Sequence, residues 1–98
     1  MKQMEISNHQ VIELDFEDPW YSDTVRTLRP VAYNDGQKIY CMLGPDFEHA
    51  ILGSGTTLVE ALKSWDAALQ KRIEHHSATD EVALYVKDQL NASLRKIN

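Results

Sequence analysis

The sequence predicts an α+β domain: a three-stranded antiparallel meander packed by one long helix, with a second helix at the C-terminal end and room for an N-terminal edge strand. Three observations carry this prediction. Thr57 and Glu60 form a T-x-x-E capping box, and Leu58, Leu62, Trp65, Leu69 and Ile73 then recur at spacings of three and four. Asn34-Asp35-Gly36 lies between two strand-like runs, and an Asp-Gly pair there supplies the positive φ that a hairpin turn needs. Val82, Val86, Leu90 and Leu94 recur every four residues behind a Ser/Thr-rich, acidic helix start.

Each element can be justified in chain order. Residues 9–17 alternate Ile12, Leu14 and Phe16 with Glu13, Asp15 and Glu17, which predicts a half-buried strand with an acidic outer face, suited to a sheet edge. Asp18-Pro19 is read as a helix N-cap and first turn, opening a short helix that runs to about Leu28 and stops at Pro30. Trp20 and Tyr21 on that helix are expected core anchors. Val31-Ala32-Tyr33 and Lys38 to Leu43 form the hairpin, Gly44-Pro45-Asp46 turns the chain, and Phe47 to Leu52 is read as the third strand. Gly53 and Gly55 then permit a sharp change of direction into the main helix, on which Glu60, Lys63, Asp66, Gln70, Lys71 and Glu74 fall off the apolar stripe. Trp65 is mid-stripe and expected to be buried against the sheet.

Composition bounds the function. A chain of 98 residues is one domain, divided here into an acidic N-terminal extension over 1–24, a β-β-β-α core over 31–76 and a C-terminal helix over 79–97. The longest apolar run, Ile39 to Leu43, is too short to span a bilayer, and the first ten residues show no secretory apolar region. Cys41 is the only cysteine, so no internal disulfide framework exists, and a cytoplasmic location is the expectation. Residues 1–24 hold one basic and six acidic residues, so the whole net charge of −5 resides there. Such a surface repels phosphate backbones and attracts basic proteins. Nucleic acid and membranes are accordingly not expected partners.

No arrangement of residues points to catalysis. Ser54 lies in a glycine-rich turn before a helix, but the lysine of a phosphate-binding loop is missing and no His–Asp pair can be assigned to it. His75 and His76 are adjacent and would diverge by about 100° on a helix, while His49 is isolated, so no metal site is expected. Cys41, inside an apolar strand, reads as inert core. The order short helix, three strands, long helix is similar to that of a double-stranded-RNA-binding domain, but the helix begins TTLVEALKSWD, with one lysine against two acids, which disfavours duplex RNA. No cofactor and no enzymatic activity are expected.

One family resemblance is present. Tyr40, Pro45-Asp46-Phe47, Gly55 with Thr56 and Thr57, Glu60-Ala61-Leu62 and Ala68-Leu69 stand in the order found in the N-terminal core of HicB-type antitoxins, and the chain resembles them over roughly residues 31–73. The resemblance implies a partial RNase-H-like β-β-β-α-β unit without nuclease activity, whose role is to bind and mask a small basic RNA-cleaving toxin. The 22 residues after His76 read as a single helix rather than as the DNA-reading segment usual in that family.

Two functions are therefore expected in competition. The first is a HicB-like interaction module that meets a basic partner through Glu13, Asp15 and Glu17; the second is a small regulatory or phage-derived protein acting by self-association. For either, a homodimer is expected through the seam Val82, Val86, Leu90 and Leu94.

Overall fold

The computed structural model describes residues 3–6 and 10–97, with side chains described through residue 92. Its elements are β1 (Val11–Ile12), α1 (Asp23–Leu28), β2 (Val31–Asn34), β3 (Ile39–Leu43), β4 (Ile51–Gly55), α2 (Leu58–Glu74) and α3 (Glu81–Ile97). The four strands form one antiparallel sheet in sequence order, so the chain is α+β with an N-terminal edge strand. The strand that the family resemblance implies after the long helix is not found among the described residues; α3 stands there, and the fourth strand is β1.

One apolar cluster joins everything. Ala32, Cys41, Leu43 and Ile51 from the sheet meet Leu62, Trp65 and Leu69 of α2, Val25 and Leu28 of α1, and Val82 and Val86 of α3. Leu62, Trp65 and Leu69 are buried, Leu58 and Ile73 at the stripe's ends are half-buried, and the six polar residues off the stripe are exposed. On the sheet, Cys41 pairs with Gly53 on the helix side, and Met42 pairs with Leu52 on the far side. The far side carries no helix. There the Tyr33 and Tyr40 rings stack at 5.1 Å and Phe47 meets Tyr33 edge-on at 6.5 Å.

The caps differ in detail from the sequence reading. Thr57 Oγ1 accepts from Glu60 N–H at 3.2 Å, as a capping box requires. Glu60 instead bonds one residue further back, accepting from Thr56 N–H at 2.9 Å and from Thr56 Oγ1 at 2.7 Å. α3 is capped by Asp80, whose Oδ1 accepts from Ala83 N–H at 3.0 Å, rather than by Ser77 or Thr79.

Several expected elements move, each for a local reason. The strand over 9–17 forms ladder pairs at Val11 and Ile12 only, and His9 lies outside the described residues. Beyond it Asp15 closes a turn, with Asp18 N–H donating to Asp15 O at 3.0 Å. The short helix starts at Asp23 under a Ser22 cap, because Asp18 makes an Asx turn with Trp20 N–H at 2.9 Å instead of capping a helix. Trp20 is consequently 59% exposed and is no core anchor, whereas Tyr21 packs against the core. The third strand of the meander is Ile51–Gly55, not Phe47–Leu52, since Asp46 captures His49 N–H at 2.8 Å and Ala50 N–H bonds Asp46 O at 3.0 Å, coiling residues 46–50 into a turn. Gly53-Ser54-Gly55, expected as a turn, is strand.

The proposed dimer seam is also corrected. Val82 and Val86 are 2% and 0% exposed within the chain's own core, covered by α1 and α2, so they present nothing to a second copy. Leu90 is half-buried against the same core, and Leu94 lies outside the described side chains.

Candidate functional site

The acidic row is backed by the core rather than carried away from it. Leu14 and Phe16 turn inward and pack on the core, so Glu13, Asp15 and Glu17 are all exposed along one margin of the sheet. Glu17 lies 3.7 Å from Arg29, whose guanidinium also sits 5.5 Å above the Phe16 ring. Asp15 Oδ1 accepts from Glu17 N–H at 3.1 Å, which fixes the turn. Burial, and then the charges of Asp18 and Asp15, push the Tyr21 hydroxyl above its ordinary pKa. A shallow cleft of about 320 Å³ runs along this margin, floored by Val11, Ile12, Leu14, Phe16 and Pro30.

A second polar cluster escaped the sequence reading. Beside the β3–β4 turn, Arg72 near the C-terminus of α2 donates from Nε to Asp80 Oδ2 at 2.5 Å and from Nη2 to His49 O at 2.6 Å. It therefore ties α2, the cap of α3 and the β3–β4 turn together beside a cleft of about 580 Å³. Asp80 is held below the usual carboxylate range chiefly by the Arg72 hydrogen bond, which outweighs the opposing effect of burial, with Ala83 N–H and the Arg72 charge adding to it. Asp46 is lowered by His49 N–H and the His49 ring, and His49 is raised by the Asp46 hydrogen bond. No spacing rule links Arg72 to Asp80; the helix–helix connection that joins them is tertiary information. Since Arg72 is engaged by Asp80 and a backbone carbonyl, this cluster is a structural clamp.

The clamp gives a pH-dependent stability. Asp80 has a depressed folded-state pKa, so its contribution is present above the unfolded value of about 4 and is lost as pH falls through the folded one. Asp80→Asn keeps a competent N-cap but loses the charge pair, and should cost about 1–2 kcal/mol at neutral pH. Urea melts should show that the deficit relative to wild type shrinks below about pH 4. A deficit that persists unchanged in acid would show that the carboxylate's charge is not what Arg72 uses.

The remaining candidates are placed as follows. Cys41 is buried and desolvation pushes its thiol up to about 12, so it is unreactive at neutral pH. Ser54 N–H is not turned to an anion site; it donates to Ser64 Oγ at 3.1 Å. His76 donates from Nδ1 to Ser77 O at 2.8 Å, and its Nε2 lies 3.1 Å from Lys87 Nζ. Among the described residues no group of three or more His, Cys, Asp or Glu is placed to hold a metal ion, and no helix is long and apolar enough to cross a membrane. The chain matches no family model, no curated protein and no solved structure.

Proposed function

We propose that this chain is a non-enzymatic interaction module, similar in role to the HicB-type antitoxins, that binds and masks a basic protein partner such as a toxin. One observation carries the reading: Glu13, Asp15 and Glu17 are exposed in alternation with inward-packed Leu14 and Phe16, so three of the six acids of residues 1–24 stand together on a surface backed by the core. Carboxylates carried on a backbone that Leu14 and Phe16 anchor to the core need less ordering on binding than carboxylates on a free arm, and they steer a basic partner over roughly a Debye length of 8 Å.

The test begins with a pull-down from native lysate using the full chain, followed by identification of what is retained. The expected partner is a small basic protein. The triple variant E13Q/D15N/E17Q should melt within about 2 °C of wild type, since all three side chains are exposed, yet associate roughly tenfold more slowly at low salt. That difference should fade as salt rises. An acidic partner, or an association rate indifferent to the three substitutions, would overturn the reading, as would binding of duplex DNA or RNA at physiological salt.

A second reading, self-association, is favoured by the helix-free face of the sheet, where Phe47 is 56% and Leu52 38% exposed. A sedimentation mass of twice the chain at roughly tens of micromolar, with no partner retained, would select it.

A further inference from the structure

Both edges of the sheet direct backbone groups outward, on Leu52 and Ser54 at β4 and on Val11 at β1. On the β4 side, the Ser54 N–H that faces away from β3 is closed by Ser64 Oγ of α2. On the β1 side, Asn34 N–H donates to Gln10 O at 2.8 Å, which sets the phase of the ladder. Gln10 and Ile12 therefore direct their backbone groups toward β2, while Val11, opposite Tyr33, directs both its N–H and its C=O outward. Among the described residues nothing bonds to these two groups. Val11 is half-buried, not covered, and Glu13, Asp15 and Glu17 stand exposed just beyond it. An unpaired strand edge is a template for another strand, and the side chains that flank it decide which strand.

We propose that the outer edge of β1 accepts an extended basic segment of a partner protein as a fifth strand paired at Val11, with its lysines or arginines reaching Glu13 and, in the turn that follows, Asp15 and Glu17. This rests on the proposed function and specifies how the partner is held. Charge complementarity selects the occupant: a second copy of this chain would bring its own acidic margin up to this one, and like-charged surfaces repel. The same residues thus reject self-pairing and admit a basic strand. Backbone bonds supply the attachment, and the apolar floor of the adjoining cleft, from Ile12, Leu14 and Phe16, receives the partner's alternate apolar side chains.

The probe is a synthetic peptide of about eight residues alternating lysine and valine, added to the full chain. It should slow hydrogen exchange at the Val11 amide by about tenfold or more near saturation, in a salt-sensitive manner. The same peptide N-methylated at every residue, or with glutamate in place of lysine, should not. Val11→Pro removes an N–H that the β1–β2 ladder does not use, so it should preserve the fold and weaken the peptide by about tenfold. Should the N-methylated peptide bind wild type as well as its parent, strand addition is refuted while the acidic surface still stands. Should E13Q/D15N/E17Q bind the lysine peptide unchanged, the acidic surface itself is refuted, and this inference with it.

Discussion

Gly53→Ala is expected to lower stability by roughly 3 kcal/mol or more, the largest effect of any single methyl added to this chain. A Cβ built on Gly53 would lie 2.0 Å from Trp65 N, 2.4 Å from Trp65 Cα and 2.7 Å from Ser64 C. These are backbone atoms of α2, so no side-chain rotation relieves the clash. Relief requires lifting the helix from β4, which also uncovers Trp65 and Leu69, both fully buried. For a domain of this size each kcal/mol corresponds to about 4–8 °C, so the melting temperature should fall by more than about 12 °C. Gly36→Ala is the control: its φ of +97° makes an alanine strained, but nothing lies within 4 Å, and the cost should be near 1–2 kcal/mol. If Gly53→Ala melts close to wild type, α2 does not approach β4 at this separation.

The same contact shows why part of the fold was readable from sequence and part was not. The long helix announces itself locally, through the Thr57 cap and the stripe ending at Ile73, and the hairpin does so through Asn34-Asp35-Gly36, where Asn34 Oδ1 accepts from Gly36 N–H at 2.8 Å. β4 does not. Two of its five residues are glycines, which show no period-two alternation, and their reason for being there is the helix lying across them. Phe47 to Ala50 alternates convincingly yet is turn, because one side chain, Asp46, offers the backbone a nearer partner than a neighbouring strand.

Amphipathic period carries a comparable ambiguity at the candidate sites. It says that a face is covered and not by what, so the Val82 and Val86 seam reads as a dimer surface when it belongs to the chain's own core. The alternation over Ile12 to Glu17 survives as burial even where the ladder has ended, which is why the exposure of Glu13, Asp15 and Glu17 was legible although the strand's length was not. Arg72 offered no signal of this kind. Its partners are the next helix's cap and a loop carbonyl, neither of which a helical wheel can place.

Trp65→Ala is the second large expected effect, at about 3–5 kcal/mol, enough to threaten a domain whose whole stability is of order 5–15 kcal/mol. Trp65 is fully buried and is the largest side chain in the core, sitting where α2 crosses β4, so truncation leaves a cavity that the close-set backbones cannot collapse to fill. Its indole Nε1–H has no hydrogen-bond partner among the described residues. A buried unpaired donor is itself destabilising, by roughly 1–3 kcal/mol, and Trp65→Phe removes that donor along with part of the ring. The two terms oppose each other, so phenylalanine should cost far less than alanine, near 1 kcal/mol and well short of what ring volume alone implies. Urea denaturation of the three proteins, read by far-UV circular dichroism so that loss of the tryptophan does not remove the signal, separates the cases. A phenylalanine variant as unstable as the alanine variant would mean that the indole N–H is bonded in solution, and an alanine variant as stable as wild type would mean that Trp65 does not hold α2 to the sheet.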